Sequence, residues 1–437
     1  MTGGVLHRPP RLGWYGDDFT GATDTLSTLA EHGLRALLFL GSPTPERLAR
    51  AGRLDAVGVA GASRAMAPDA MAAELGPVGR FFAELRVSVL HYKCCSTFDS
   101  APDVGSIGAA VATLRAVTPN AFVPIVGGQP NLARYCLFAT LFAAVGAGGE
   151  VVRIDRHPTM RAHPVTPMGE ADLRLHLAKQ GLAGVASLDY RAYEAGDPER
   201  ALEDVLRAGP PAVLMDVSRV DDLPVIGRLI WSHALRTRLL AVGASSVAQA
   251  LAAAWPDGPL SPPDRAAAPA SGGPVFLMVG SLSPVTRAQV EAAESFERID
   301  VDASRLVDDA ALAQSVRADA VKRLRQGRNV MVVTDRPDGA LQRAGEVAQA
   351  TAELLRLVVD EAPIGRLAIA GGDTSSIAVR KLDLWGLSHE ARVASGVSLC
   401  RGRSDDPRLD GLDIVLKGGQ MGPPDLFERV AHGSGAT

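Results

Sequence analysis

The chain has 437 residues, 47% hydrophobic and 22% charged, with 45 lysines and arginines against 49 aspartates and glutamates. That composition is globular and the length suits two or three domains. The net charge of −4 offers no basic surplus for nucleic acid, and the longest apolar stretch, CLFATLFAAVGAG, is too short to span a bilayer, so neither partner is expected.

The N-terminal stretch MTGGVLHRPPRLGWYGDD reaches charge too early for a secretory leader. The four cysteines, Cys94, Cys95, Cys136 and Cys400, form no C-x-x-C pair, disulfide framework or zinc pattern. A reducing cytoplasm is the expected location.

The first predicted strand-to-helix turn lies in GWYGDDFTGATDT, residues 13–25. It sets Asp17 beside Asp18, followed by Thr20, Gly21, Thr23 and Asp24. Helical spacing of Leu26, Leu29 and Ala30 predicts a helix that Gly33 stops. N-capping explains any one of these acids. It does not readily explain an adjacent pair, which also suits one carboxylate on substrate hydroxyls and one accepting a proton. The residues alone leave both readings open.

Buried strands are predicted at 34–40, 55–61, 87–92, 121–128, 184–190 and 211–217, with helical segments between most of them. This βαβα rhythm predicts a largely parallel sheet flanked by helices. In this half Arg64, Lys93, Ser96, Thr97 and Asp99 follow strands, and His163 sits in RAHPVTPM. Such cationic and hydroxyl-bearing strand ends suit a small, anionic, hydroxylated ligand. His157 and His163 stand six apart with no clear acidic partner, so no metal site is expected there.

Residues 256–274, PDGPLSPPDRAAAPASGGP, break the pattern and read as a linker. The rhythm restarts with strands at 274–280, 329–335, 366–372 and 412–419. The expected division is a domain over 1–256, a linker over 257–273 and a second domain over 274–437. Four segments of the second domain read as glycine-bearing loops after strands: VGSLSPVT, GGDTSS, SGVSLCRGRS and KGGQMGPP. Ligands of parallel sheets bind at such carboxyl ends, and exposed backbone N–H groups there hold phosphate. Neither a Walker A motif nor a G-x-G-x-x-G after the first strand is present, which argues against a dehydrogenase.

Together these motifs resemble the four-carbon acid sugar kinase family, once known only as a domain of unknown function. The resemblance is carried by GDDFTGATD, GASR (61–64), YKCCST (92–97), HPVTPMGEADL (163–173), VGSLSPVTRAQ (279–289), AGGDTSS (370–376), SGVSLCR (395–401) and LKGGQMG (416–422), in family order across nearly the whole chain. It implies an acid-sugar-binding N-terminal domain, an ATP-binding C-terminal domain and an active site in the cleft between them. It also implies phosphorylation of a sugar-acid hydroxyl with ATP and Mg²⁺. Family activities include kinases for threonate, erythronate, 3-oxo-tetronate and 3-oxo-isoapionate. STFDS at 96–100 departs from the STLRG of many members, placing Asp99 where they carry arginine. This points away from plain tetronates towards a 3-oxo or branched acid.

On this resemblance Asp18 is the favoured base and Asp17 a ligand of substrate hydroxyls. Arg64, Lys93, Ser96, Thr97, Asp99 and His163 are expected on the substrate. Ser281, Gly371, Gly372, Asp373, Thr374, Ser375, Gly396, Lys417, Gly419 and Gly422 are expected around ATP. The rival is a sensor that binds acid sugar and nucleotide without turnover, and a homodimer stays open.

Overall fold

The computed structural model describes residues 9–146, 148–163, 165–255, 267–280, 283–335 and 344–435. Contacts divide the chain into two units, Met1–Asp264 and Arg265–Thr437. The segment 256–266, within the linker expected from composition, lies outside the described residues.

In the first unit the strands are β1 (Leu12–Gly16), β2 (Ala36–Phe39), β3 (Ala56–Ala60), β4 (Val89–Lys93), β5 (Pro124–Gly127), β6 (Arg134–Leu137), β7 (Thr140–Ala144), β8 (Val151–Arg153), β9 (Ala186–Leu188), β10 (Val213–Asp216) and β11 (Leu239–Gly243). Eight of these described strands form a parallel array in the order β2-β3-β1-β4-β11-β5-β10-β9. Strands of an all-parallel sheet are covered on both faces, which explains the fully buried runs LGWYG, AVGVA and LLAVG. Trp14, Phe19, Phe39, Phe82 and Tyr92 are fully buried among the core side chains. Each such burial contributes roughly 1.5–3 kcal/mol.

From β1 the chain builds β2 and β3 on one side and then crosses to place β4 on the other. The order therefore reverses between β1 and β4, a switch point where a crevice opens at the carboxyl ends. Gly16 stands level with Ala60 of β3 and with Lys93 of β4. The register thus brings the residues after β1 and β3 and the last residue of β4 to one edge.

The sequence expectation contained no strand over residues 134–144, yet β6 and β7 form an antiparallel hairpin there, with β8 added to it. Its turn residues are Phe138 (φ 50°) and Ala139 (φ 65°), left-handed positions where glycine or asparagine is the usual signal. The Asp216 carboxylate compensates, accepting the Phe138 and Ala139 N–H groups at 2.5 and 3.1 Å.

The strands of the second unit are β12 (Val275–Val279), β13 (Phe296–Asp302), β14 (Asn329–Asp335), β15 (Arg366–Ala370), β16 (Gly386–Ala394), β17 (Val397–Arg403) and β18 (Asp413–Lys417). Their order is β13-β14-β12-β15-β18-β17-β16. The first five are parallel, while β17 and β16 continue antiparallel. The second switch point falls between β12 and β15. Val275, Leu277, Val279, Ala368, Ala370, Leu399, Val415, Leu426, Phe427 and Val430 share one core cluster.

One loop expectation needs correction here. Of SGVSLCRGRS, Val397–Arg403 is strand β17 rather than a loop. Gly396, at φ 72°, occupies the tight turn joining β16 to β17. The hairpin alone accounts for this glycine.

Candidate active site

The acidic pair stands at the first switch point. Asp17 directly follows β1, and its backbone accepts Arg64 N–H at 3.2 Å and donates to the Lys93 carbonyl at 3.0 Å. Asp18 caps the helix Phe19–Glu31: its Oδ1 accepts the Gly21 N–H at 2.9 Å and its Oδ2 accepts the Thr20 hydroxyl at 2.7 Å. Both acids are buried.

Arg64 joins the two carboxylates. Its Nε and Nη2 form a fork on Asp17, at 3.1 and 2.8 Å, and its Nη1 reaches Asp18 at 3.0 Å. Such bidentate geometry is the strong form of a charge-assisted bond. Every carboxylate oxygen of the pair therefore already accepts at least one hydrogen bond.

The two acids differ electrically. Burial raises the Asp17 pKa, with Arg64 opposing it and the Asp18 charge adding to it. Burial also penalises the Asp18 charge, but Arg64, Lys93, Thr20 and the Gly21 N–H outweigh it and hold that carboxyl below its ordinary value. Burial would lower the Lys93 pKa, yet Asp18 and then Asp17 raise it. Asp17 is thus the carboxylate with the greater proton affinity, and Asp18 the one fixed as an anion.

Gly21 makes this arrangement fit. A Cβ there would lie 2.3 Å from Lys93 Nζ and 2.4 Å from Asp18 Oδ1. A side chain at this position would therefore displace the Lys93 ammonium or the Asp18 carboxylate from the helix start. Asp24, further along the same helix, accepts Gln129 Nε2 at 3.1 Å, a buried contact that sequence reading missed.

Beyond β4, Ser96, Thr97 and Asp99 are buried together. Cys95 Sγ lies 2.9 Å from the Thr97 hydroxyl, which donates to Asp99 Oδ1. Phe98 between them has φ 54°, and Ser100, His176 and Gln180 hold this bend. Ser100 Oγ donates to the Phe98 carbonyl at 2.9 Å, and Gln180 Nε2 donates to Ser100 Oγ at 2.8 Å. His176 Nε2 lies 3.1 Å from the same carbonyl. His176 lies on the helix Leu173–Ala178 and Gln180 in the turn just after it, a spacing that gives no chemical signal in the sequence.

His163 is half-buried, and its Nδ1 accepts the Thr166 N–H at 3.0 Å. No described contact brings it to the acidic pair. His157 is structural: Nδ1 accepts the Met160 N–H at 3.3 Å while Nε2 faces the Ala144 carbonyl at 3.2 Å.

The second unit supplies a backbone-rich site of its own. Helix Gly372–Lys381 follows β15 and begins at Gly371, whose φ of 132° requires glycine and whose place carries no side-chain cap. Its first N–H groups are the type that bind phosphate. Thr374 is packed against Gly280 after β12: a Cβ on Gly280 would lie 2.1 Å from the Thr374 hydroxyl. Ser375 is buried, with its N–H on the Gly371 carbonyl at 2.8 Å. Ser281 and the side chain of Asp373 lie outside the described residues.

Lys417 ends β18 almost wholly buried, donating to the Thr286 hydroxyl and, at 3.2 Å, to the Gly419 carbonyl. Burial pulls its pKa down to about 7. Gln289 Nε2 donates to the carbonyls of Met421, Gly422 and Pro423 at 3.0, 3.1 and 2.9 Å. Thr286 and Gln289 thus tie the loop after β18 to the helix after β12. Their signal was the TRAQ that follows the SLSPV segment.

Among the described residues no group of three or more His, Cys, Asp or Glu side chains is placed to hold a metal. With the oxygens of Asp17 and Asp18 already engaged, the described residues do not form a protein cage for Mg²⁺. No described helix is long and apolar enough to cross a membrane.

Fold and site together define a two-domain protein with one unit suited to a hydroxylated acid and one to a nucleotide. The family description "Sugar-binding N-terminal domain" matches residues 12–251, and "Nucleotide-binding C-terminal domain" matches residues 276–427. The chain belongs to the four-carbon acid sugar kinase family. It is 39% identical to a 3-oxo-isoapionate kinase of Paraburkholderia graminis, over 97% of this chain and 94% of that protein. It is 30% identical to a 3-oxo-tetronate kinase of Methylobacterium radiotolerans, over 96% of this chain and 98% of that one. Solved structures from Haemophilus influenzae and Salmonella typhimurium share the fold, each 23% identical over 96% of this chain and 98% of theirs, with TM-scores of 0.69 and 0.76.

Proposed function

We propose that the protein is a kinase that transfers the γ-phosphoryl group of ATP to a hydroxyl of a small acid sugar, with a 3-oxo or branched acid such as 3-oxo-isoapionate as its substrate. The observation that carries this reading is the buried Asp17–Asp18 pair, bridged by Arg64 and flanked by Lys93 at the switch point of the sugar-binding unit. The 39% identity to a kinase for a branched 3-oxo acid supports the substrate class. Asp99, where many family members carry arginine, agrees with a substrate other than a plain tetronate.

Phosphoryl transfer depends mostly on positioning and charge stabilisation. In the reaction proposed, the substrate hydroxyl gives its proton to a carboxylate as its oxygen bonds to the γ-phosphorus. The bond from that phosphorus to the β,γ-bridging oxygen breaks, and ADP leaves. The sequence favours Asp18 as the acceptor, whereas the electrostatics favour Asp17, whose pKa is raised, over Asp18, whose charge is fixed. We assign Asp17 as base and Asp18 as the anchor of Arg64, Lys93 and the helix start. Thr97 and Asp99 bind further substrate oxygens, and Ser96 lines their bend. His163 is assigned to the substrate as well.

We assign ATP phosphates to the N–H groups of Gly372, Asp373 and Thr374 at the helix start and to Lys417, with Gly371, Gly419 and Gly422 shaping the pocket. Mg²⁺ supplies charge neutralisation on the phosphates when it arrives with ATP. The protein acts in the cytoplasm. The test is ADP release with ATP, Mg²⁺ and a panel of sugar acids. Acid-dependent ADP release from wild type, lost in Asp17→Asn, fits the reading. Binding of acids without any ADP release would replace it with a sensor.

A further inference from the structure

The carboxyl ends of the first unit's parallel strands are crossed by a strand outside that array. The Cys136 N–H of β6 donates to the Val217 carbonyl just past β10, at 2.9 Å. Just past β5, Gln129 and Arg134 exchange backbone bonds, Gln129 N–H to the Arg134 carbonyl at 2.8 Å and Arg134 N–H to the Gln129 carbonyl at 3.2 Å. Cys136 packs against Gly127, where a Cβ would lie 2.9 Å from its sulfur. Alternate residues of a strand share a face, so Arg134 faces the same way as Cys136, towards the strand ends. That is the edge carrying Asp17, Arg64 and Lys93.

Arg134 and Arg64 are in opposite situations. Three nitrogens of Arg64 are spent on two carboxylates. Arg134 has one described side-chain bond, from Nη1 to the Leu132 carbonyl. Its Nε is buried with no partner among the described residues, and none of the described ion pairs includes it. The ionisable groups that act on it or feel it are Cys95 and His157. Neither is an anion there. Burial pushes the Cys95 thiol up to about 11, and His157 is held neutral between a backbone N–H and a backbone carbonyl. Cys95, whose charge would favour that of Arg134, is the thiol 2.9 Å from the Thr97 hydroxyl that donates to Asp99.

Arg134 is half-buried, and a guanidinium whose Nε is shielded from water and unpartnered favours an anion beside it. We propose that the ligand completes this one: Arg134 binds the carboxylate of the acid sugar, while the hydroxyl to be phosphorylated lies at Asp17. This rests on the kinase reading above. It identifies a specificity residue that the motifs do not contain, because Arg134 lies on the unexpected hairpin.

The experiment compares wild type, Arg134→Met and Arg134→Lys with 3-oxo-isoapionate, 3-oxo-tetronate, erythronate and threonate and with the methyl ester of each. Wild type prefers the acids to the esters. In Arg134→Met the KM for the acid rises about tenfold to a hundredfold, the range for a charged hydrogen bond, and the preference over the ester disappears. Arg134→Lys recovers part of that preference, and the KM for ATP does not follow the same change. A general structural role would impair acid and ester alike. A wild-type enzyme active on acids whose Arg134→Met variant keeps its acid-over-ester preference overturns the Arg134 assignment alone. If Arg134→Met does not fold, Arg134→Lys with full preference for the acid and unchanged KM overturns it equally. Wild type inactive on the whole panel overturns the kinase reading beneath it.

Discussion

Asp18 serves as both helix cap and charge anchor, and two substitutions separate the roles. Asp18→Asn keeps an acceptor for the Gly21 N–H but loses the charge facing Arg64 and Lys93; Asp18→Ala loses both. The charged contacts are worth about 1.5–3 kcal/mol and the cap about 1 kcal/mol more. In a unit spanning Met1–Asp264, 1 kcal/mol moves Tm by about 2–4 °C. Asp18→Asn should therefore melt roughly 3–12 °C below wild type, and Asp18→Ala about 2–4 °C lower still. Calorimetry near neutral pH reads both differences, because a carboxyl held below its ordinary 3.8 is ionised there. The depressed folded pKa makes the Asp18 contribution present above its unfolded pKa and lost as pH falls through the folded value. Equal melting of the two variants would refute the capping argument. Melting of Asp18→Asn with wild type would refute the buried ion pair.

Asp17→Asn should lower kcat by about 10²–10⁴ with the KM for ATP little changed, the range for loss of a general base; a near-normal kcat removes Asp17 from that role. Gly21→Ala forces Lys93 Nζ or Asp18 to move, so kcat/KM should fall far more than stability, which drops by about 1 kcal/mol. An active Gly21→Ala enzyme would show that the packing of Lys93 on the helix start is dispensable. Lys417 has a pKa lowered to about 7, so the unfolded chain holds its proton more tightly between about 7 and 10.5. Burying this charge therefore penalises the fold fully below about pH 7, and the penalty fades as pH rises towards 10.5. Relative to wild type, Lys417→Met should be most stabilised at low pH, with its advantage shrinking as pH rises; a pH-independent difference in Tm would contradict this.

The sequence made the parallel strands legible because their two covered faces demand unbroken apolar runs, as in AVGVAG and FLMVG. Glycines after β12, β15 and β18 read as loops for the same reason: each follows such a run. Strand β17 was hidden because its SLCRGR stretch mixes polar and small residues, and antiparallel pairing tolerates that mixture. The hairpin at 134–144 was hidden because Phe138 and Ala139 carry no turn signal; their left-handed backbone is held by Asp216, some eighty residues away. Site chemistry divided similarly. Asp17, Asp18, Arg64 and Lys93 stand in short motifs at predicted strand ends. Their division into a fixed anion and a more basic carboxylate depends on burial and on Arg64 reaching across from β3, which no spacing encodes. Arg134 could be found only after β6 was seen crossing the strand ends.

The central claim is acid-dependent phosphoryl transfer, and the most direct measurement is ADP release from Mg²⁺–ATP with 3-oxo-isoapionate, 3-oxo-tetronate, erythronate and threonate in parallel, with the product identified by mass. The account predicts a monophosphorylated acid formed from at least one substrate, with a 3-oxo or branched acid preferred over plain erythronate and threonate. ADP release independent of every acid, or no release at all, would contradict it.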